Sequence, residues 1–289
     1  MALAPRLVHN RARDARPVAR GFIVARLRIP RVASRRRRPA SVPGVARSPT
    51  SRESGRSSSR AFSPNAVAGD ASGSGVAGEA KRLAVFASGG GSNFRAIHDA
   101  IGNGKINGSI ELVVSDKASC GATEFASSKG IPCVQYPDKE GGGEDKGLGR
   151  LMRALGDQHR VDYVLLAGYL KIVPKEVVRR FERGILNIHP ALLPSFGGKG
   201  CYGMRVHEMV VESGVRFTGA TVHFVNEKYD EGRIVAQACV PVYPADSAAD
   251  VAARVLKSEH EMYPEVVAAL CDGRLRWGED GKPVIWTAL

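Results

Sequence analysis

An amide and an imidazole stand two residues apart in the stretch ILNIHPALLPSF, where Asn187 and His189 flank Ile188. The apolar residues before them indicate a buried strand, and Pro190 and Pro194 stiffen the loop that follows. In an open parallel sheet, ligands lie beyond the carboxyl ends of the strands. Alternate residues of a strand face the same side, so the two polar side chains can point at one developing oxyanion. The alternative is a satisfied polar pair that caps a strand end.

A glycine-rich stretch, SGGGSNFRAI, follows the first predicted strand of the folded region and opens its first predicted helix. A helix N-terminus offers unpaired N–H groups and the positive end of the helix dipole, so a phosphate binds well there. Gly89, Gly90 and Gly91 let the backbone come close, while Ser92 and Asn93 add side-chain donors. Phe94 stands where a dinucleotide fingerprint needs its last glycine, and the Gly-Lys-Ser/Thr ending of a Walker A loop is missing. A plain capped turn between strand and helix stays the alternative.

An acidic residue, Asp230, precedes Gly232 in the tight connection between two long predicted strands. A carboxylate close to His189 would orient the ring and raise its pKa above the unperturbed value of about 6.5. Sequence alone does not show that proximity, and an acid in a loop is normally solvated. The other histidines of residues 81–289 are predicted to be structural or solvated: His98, His159, His207, His223 and His260.

Short apolar runs separated by segments of helical spacing occupy residues 83–189. This alternation indicates parallel βαβ units and predicts a doubly wound, mainly parallel α/β sheet. Two longer strands, TGATVHFVNE and RIVAQACVPV, should then extend the sheet in an antiparallel or mixed manner. A long amphipathic helix is predicted to begin after Asp246 or Ser247 and to end before Gly273, and a hairpin follows it.

The basic charge of the chain is concentrated at its N-terminus. Residues 1–80 hold 16 arginines and four acids, which is +12 of the total formal charge of +13 over 289 residues. Residues 81–289 therefore carry +1, which gives no support for nucleic acid as a partner. The Arg, Ala and Ser content of residues 1–80 predicts a disordered transit peptide and linker, read by organelle import machinery. The lack of lysine there favours a chloroplast over a mitochondrion, and a basic tail that binds nucleic acid or a membrane surface is the alternative.

Cysteine usage and hydropathy limit the other function classes. The five cysteines include no C-x-x-C pair and their number is odd, which argues against a disulfide framework or a zinc site. No stretch approaches the ~18 apolar residues of a membrane span. We therefore expect one folded domain over residues 81–289, with neither a metal nor a membrane partner. The oligomeric state stays open, with a homodimer as one option.

Five stretches taken together resemble the phosphoribosylglycinamide formyltransferases, the folate-dependent formyl transferases of purine synthesis. They are SGGGSNFRAI, LLAGYLKIV, ILNIHPALLPSF, GATVHFVNEKYDEGRIVAQ and ARVLKSEHEMYP, in matching order and spacing from Leu83 to about Gly273. The resemblance implies a formyltransferase-type fold and a catalytic domain over residues 81–289. It implies that the formyl group of 10-formyltetrahydrofolate passes to the amine of glycinamide ribonucleotide, without a metal.

The resemblance also implies roles for individual residues. The catalytic group would be Asn187, His189 and Asp230, with Asp230 keeping His189 protonated. The residues that bind glycinamide ribonucleotide or border its cleft would be Gly91, Ser92 and Asn93 at the phosphate, with Gly168, Pro190 and Glu259. The residues that bind the folate would be Leu170, Lys171, Ile172, Val173 and Asn187.

Three alternatives are left open. A methionyl-tRNA formyltransferase has a similar NIH…LLP element but adds a C-terminal barrel, and only 16 residues follow Gly273 here. A formyltetrahydrofolate deformylase would need an N-terminal regulatory domain, where this chain has low-complexity sequence. A nucleic-acid-binding protein would use the basic arm of residues 1–80, which the near-neutral remainder disfavours.

Overall fold

One sheet of eight strands organises the part of the chain that the computed structural model describes, which is residues 23–24, 79–137, 144–228 and 230–286. These residues belong to one compact unit. The predicted transit peptide and linker of residues 1–80 lie outside the described residues, apart from the short strand at 23–24 and residues 79–80. The strands are β1 (Ile23–Val24), β2 (Lys81–Phe86), β3 (Gly108–Ser115), β4 (Cys133–Gln135), β5 (Tyr163–Leu166), β6 (Ile185–His189), β7 (Phe217–Phe224) and β8 (Ile234–Pro241).

The sheet changes from parallel to antiparallel pairing at β6. Its order is β1-β8-β7-β6-β5-β2-β3-β4. From β6 to β4 every neighbouring pair is parallel, while β6–β7, β7–β8 and β8–β1 are antiparallel. This confirms the predicted doubly wound, mainly parallel sheet with a mixed C-terminal extension.

Helices cover both faces of this sheet. They are α1 (Ser92–Gly102), α2 (Gly121–Ser128), α3 (Glu144–Arg153, continued by a π-helical turn over Ala154–Gln158), α4 (Lys175–Arg180), α5 (Met204–Glu212) and α6 (Ala248–Cys271). The predicted closing hairpin is formed by β9 (Leu275–Trp277) and β10 (Pro283–Ile285). None of the helices in the described part of the chain is long and apolar enough to cross a membrane.

The long helix α6 begins and ends where its sequence predicts. Ser247 caps it by accepting from the Asp250 N–H, and the Asp250 carboxylate accepts from the Ser247 N–H in return. Such a capping box satisfies two backbone donors that the helix itself leaves unpaired. At the other end Gly273 takes a left-handed conformation with φ of 67°, which glycine adopts without a steric penalty.

Two apolar cores lie on opposite faces of the sheet. Within β2, Leu83 and Val85 pack into the core beneath α1, α2 and α6, whereas Ala84 and Phe86 pack into the core beneath α3 and α4. Successive strand residues face opposite sides, so a strand covered on both faces must be apolar throughout. Tyr263, fully buried on α6, has its hydroxyl 3.1 Å from the carbonyl oxygens of Leu166 in β5 and Leu186 in β6. The helix is thereby held against the edge of the sheet where the candidate site lies.

Candidate active site

A cavity of about 1080 Å³ opens at the carboxyl ends of β2, β5 and β6. Its size is at the upper end of the range for small-molecule sites, and its place in the sheet is where open parallel sheets bind ligands. Most of the residues predicted to form a site line it: Ser92, Asn93, Gly168, Leu170, Lys171, Ile172, Val173, Asn187, His189, Pro190, Asp230 and Glu259. The structure thus brings together residues up to 167 positions apart in the chain.

The three residues that were predicted to be catalytic lie close together beside β6 and the turn between β7 and β8. Asn187 and His189 end β6, and Asp230 lies in the turn between β7 and β8. Asp230 has a left-handed backbone with φ of 52°, a conformation that Asp tolerates better than most residues. Its Oδ2 lies 3.7 Å from His189 Nδ1 and accepts from the Gly198 N–H at 2.9 Å. The carboxylate therefore faces the ring rather than solvent.

The protonation state of His189 differs from the expectation. Burial lowers the pKa of His189 below its ordinary value, and the Asp230 charge and the Phe196 carbonyl offset this only in part. The prediction that Asp230 lifts this pKa above about 6.5 is therefore wrong, because the ring is only 4% exposed and loses its hydration. The Asp230 charge raises the pKa of His189, as expected, but by less than burial lowers it. The implied role of keeping His189 protonated in the resting site does not hold.

The hydrogen-bond partners of His189 assign its ring nitrogens. Nε2 lies 2.8 Å from the Phe196 carbonyl oxygen, which can only accept, so Nε2 carries the hydrogen. Nδ1 is then the lone-pair atom and faces Asp230. Burial alone would raise the pKa of Asp230, but His223, the Gly198 N–H and the charge that His189 carries when it is protonated together lower it. A proton that reaches Nδ1 would find an ionised carboxylate beside it.

Two histidines that were predicted to be structural or solvated also line the cavity. His223, at 2% exposure, places Nε2 3.0 Å from Asn187 Nδ2 and 3.6 Å from Asp230 Oδ1. His207, on α5, is buried as well, and burial together with His189 lowers its pKa. The prediction that both are structural or solvated did not anticipate that they lie at the cavity. The antiparallel register that sets His223 opposite Asn187 would have identified it, but the sequence does not specify that register.

The glycine-rich loop supplies a helix N-terminus, although not through every residue that was predicted. Gly91 is buried at the N-cap of α1 with φ of 73°, and a Cβ there would lie 3.0 Å from Ala122. Gly91 therefore permits the close approach of α2, and Gly90 lines the cavity in its place. No side chain caps α1. Its first-turn N–H groups, beginning at Ser92, suit an anionic ligand.

The side chain of Asn93 donates to a carboxylate of the cavity wall. Its Nδ2 donates to Glu259 Oε2 at 2.7 Å, and both side chains are buried. The Nδ2 group carries a second N–H, so the prediction that this amide donates to phosphate stays a prediction. Burial raises the pKa of Glu259, and the hydrogen bond from Asn93 lowers it by less. α1 thereby fixes an acidic group of α6 at the wall of the cavity.

The loop after β5 forms an apolar wall. Gly168, with φ of 80°, accepts from the Ser88 N–H, and the Ser88 hydroxyl accepts from the Leu170 N–H at 2.9 Å. These bonds tie the loop to the glycine-rich turn. Leu170 and Ile172 are 48% and 62% exposed although they are large and apolar. Exposed apolar side chains around a cavity indicate a ligand with an apolar surface.

Neither a metal cluster nor a disulfide occurs among the described residues. No group of three or more His, Cys, Asp or Glu side chains in the described ranges is arranged to hold a metal ion. The five cysteines are free.

Comparison with known proteins identifies the class to which this fold and site belong. Residues 81–267 match the formyl transferase family, Formyl_trans_N. That match extends over more than half of the chain and contains every candidate site residue. The chain belongs to the formyl transferase family.

Individual relatives show which members of the formyl transferase family the chain is similar to. Over 207 residues the chain is 53% identical to "Phosphoribosylglycinamide formyltransferase, chloroplastic" of Vigna unguiculata, covering 71% of this chain and 65% of that protein. Over 209 residues it is 52% identical to the protein of the same name from Arabidopsis thaliana, covering 71% and 70%. The chain thus spans about two thirds of the length of these relatives.

Solved structures agree with these relatives. The crystal structure of glycinamide ribonucleotide transformylase 1 from Symbiobacterium toebii matches with a TM-score of 0.64 and 35% identity, covering 73% of this chain and 96% of that one. A formyltetrahydrofolate deformylase from Pseudomonas syringae has the same TM-score at 25% identity, covering 73% and 67%. The fold prediction and the resemblance to phosphoribosylglycinamide formyltransferases are confirmed.

Proposed function

We propose that this chain is an enzyme of purine biosynthesis that transfers the formyl group of 10-formyltetrahydrofolate to the amine of glycinamide ribonucleotide. One observation carries the proposal: an uncapped helix N-terminus, a buried carboxylate and an amide–imidazole–carboxylate group line the same cavity. A phosphorylated amine that accepts an acyl group needs these three features together. The names of the plant relatives support the same activity.

The ribonucleotide would bind between α1 and α6. Its phosphate would accept from the first-turn N–H groups of α1 and from the Ser92 hydroxyl. Its amine would lie near Glu259, whose carboxylate Asn93 holds in place at 2.7 Å. An acid kept out of water attracts a cationic or hydrogen-bond-donating group more strongly than an exposed one. The two ends of the substrate would thus be recognised by groups of opposite charge.

The folate would bind against the wall formed by residues 170–173. The exposed apolar side chains of Leu170 and Ile172 suit the flat faces of an aromatic ring system. Val173 is buried behind them, and Lys171 lies 3.9 Å from Asp116 at the rim. A cavity of about 1080 Å³ has room for both substrates, so that amine and formyl group can meet without diffusing apart.

The formyl folate would supply an activated formyl carbon, and attack by the substrate amine would place negative charge on the formyl oxygen. Asn187 would donate an N–H to that oxygen, a contribution that is worth roughly 100-fold or more in acyl transfer. His189, neutral in the resting site, would take the proton of the attacking amine at Nδ1. Asp230, 3.7 Å away, would then stabilise the imidazolium. The imidazolium could in turn stabilise the oxyanion and return the proton to the leaving nitrogen.

The relatives' names support a chloroplast location for the chain, in agreement with the prediction from composition. Residues 1–80 would then act as a transit peptide and linker, and residues 81–289 as the catalytic domain. The import machinery would be the partner of the first segment. Neither nucleic acid nor a membrane is proposed as a partner, and a homodimer is left open.

A formyl-transfer assay on the full-length chain tests the proposal. With glycinamide ribonucleotide and 10-formyltetrahydrofolate present, tetrahydrofolate and formylated ribonucleotide should appear in equal amounts. Asn187→Ala should reduce the rate strongly, while Asn226→Ala, at the exposed rim of the same cavity, serves as the matched control. Equal formate release with and without the ribonucleotide would instead identify a deformylase and refute the proposal.

A further inference from the structure

The hydrogen bonds of His223 have one consistent solution for the neutral ring. Its Nδ1 lies 2.8 Å from the Phe224 carbonyl oxygen, and a carbonyl can only accept, so Nδ1 carries the hydrogen. The lone pair is then on Nε2, which lies 3.0 Å from Asn187 Nδ2. Asn187 must therefore donate to His223. The ring is 2% exposed, so its nitrogens are removed from bulk water.

This contact settles which end of the Asn187 amide is anchored. An amide can turn by half a rotation and exchange its NH₂ group for its oxygen at little steric cost. A turned amide would direct its oxygen at His223 Nε2, where two lone pairs would oppose each other. The bond to His223 therefore holds one N–H of Asn187 and leaves the second N–H for a ligand in the cavity.

We propose that His223 is a positioning residue for formyl transfer, which holds the Asn187 amide in the orientation that keeps an N–H available to the oxyanion. The strand register makes this pairing possible, because Asn187 and His223 are directly opposite in the antiparallel β6–β7 pair. The proposal rests on the proposed function, in which Asn187 donates to the formyl oxygen. His223 itself would not touch the reacting atoms.

A second feature keeps the His223 ring in place. The bond from Nδ1 to the Phe224 carbonyl fixes the ring to its own strand, and Asp230 Oδ1 lies 3.6 Å from Nε2, beyond hydrogen-bond distance. In a charged ring Nε2 would carry a hydrogen, could no longer accept from Asn187, and would turn to Asp230 instead. The positioning role therefore requires the neutral ring with its hydrogen on Nδ1.

A double-mutant cycle separates positioning from mere structural support. In the full-length chain, His223→Leu removes the acceptor at similar volume, and kcat should fall about ten-fold, the value of one fixed hydrogen bond, while both KM values stay within about three-fold. His223→Gln, whose side-chain oxygen can reach the Nε2 position, should recover most of this loss. In an Asn187→Ala background, His223→Leu should change kcat by less than about two-fold. His98→Leu is the matched control, since His98 does not line the cavity.

An equal ten-fold loss in the Asn187→Ala background would overturn the proposal, as would an unchanged kcat in His223→Leu. If His223→Leu does not fold, the tautomer of the His223 ring in the wild-type chain tests the proposal instead. Nitrogen-15 NMR of the wild-type chain at neutral pH should show the hydrogen on Nδ1 of His223. A hydrogen on Nε2 would contradict the proposal even if the enzyme transfers formyl groups as proposed. Absence of formyl transfer by the wild type, with the Nδ1 tautomer present, would instead count against the proposed function.

Discussion

Replacing Asp230 by Asn tests the link between charge and catalysis most directly. The substitution keeps the size of the side chain and removes its charge, 3.7 Å from His189 Nδ1. At that separation an ion pair is worth about 1 kcal/mol in water and about 4 kcal/mol at an effective dielectric constant of about 20. The Asp230 side chain is 14% exposed and the His189 side chain 4%, so the real value lies between these limits.

This range of ion-pair energy sets the expected loss of kcat. Each ~1.4 kcal/mol of lost transition-state stabilisation costs about ten-fold, so kcat for Asp230→Asn should fall by roughly 100-fold. Without the carboxylate the pKa of His189, which burial already lowers, falls further. Because the neutral ring must accept a proton, the acid limb of the profile of kcat/KM against pH should move to lower pH, while its plateau drops.

The assay is steady-state formyl transfer between about pH 5 and 9 for wild type and Asp230→Asn, with circular dichroism to confirm folding. Asp280→Asn is the control, because Asp280 lies in the exposed turn of the β9–β10 hairpin beside Lys282. Superimposable profiles would show that the carboxylate does not act on His189. An acid limb that moves to higher pH would mean that Asp230 acts through some other group.

Three further perturbations test other parts of the site. Ser92→Ala should raise KM for the ribonucleotide about five- to ten-fold at constant kcat, since one hydrogen bond to a phosphate is lost; an effect on the folate KM alone would contradict this. Glu259→Gln should lower kcat/KM for the ribonucleotide ten-fold or more in the same assay, and an unchanged value would remove Glu259 from amine recognition. The free energy of unfolding in urea should fall as the pH drops from 7.5 to 5.5, because burial lowers the pKa of His189, His207 and His260 in the folded chain. In the unfolded chain these histidines have a pKa of about 6.5 and take up protons in this range, which stabilises the unfolded state. Burial raises the pKa of Glu259, so this residue changes the stability in the opposite sense as the pH falls. The decisive comparison is therefore with His207→Leu, which should lose less stability than the wild type over this range.

Elements with strong periodicity could be predicted from the sequence. The apolar runs of β2 and β6 indicated buried strands because helices cover both of their faces. Helix α6 could be bounded because Ser247 and Gly273 carry the cap chemistry themselves. The cavity could be placed at the carboxyl ends of the strands, because the ligand position in such sheets follows from topology.

The partners of polar side chains could not be predicted in the same way. Asn93 and Glu259 are 166 residues apart, and only the packing of α1 on α6 brings them to hydrogen-bond distance. The pKa of His189 is the balance of two opposing effects, burial and the Asp230 charge. The sequence contains an acid that can supply the second effect, but it shows neither that Asp230 lies beside His189 nor how completely the ring is removed from water.

The change of strand direction at β6 explains why the catalytic group assembles where it does. On its parallel side, β5 ends in the loop that forms the apolar wall. On its antiparallel side, β7 brings His223 opposite Asn187, and the β7–β8 register shifts between Val222 and His223. Such irregularities re-aim side chains beside active sites.

Gly232 follows from that local geometry. A Cβ on Gly232 would collide with the Phe224 carbonyl oxygen, which is the acceptor for His223 Nδ1. A glycine is therefore needed at this position for β8 to pass close to the strand that holds His223. Gly232 thus allows the His223 ring to be held on β7, and this ring positions the Asn187 amide on β6. The turn between β7 and β8 carries Asp230. Catalytic geometry in this site depends on three adjacent strands being correctly paired, rather than on any single loop.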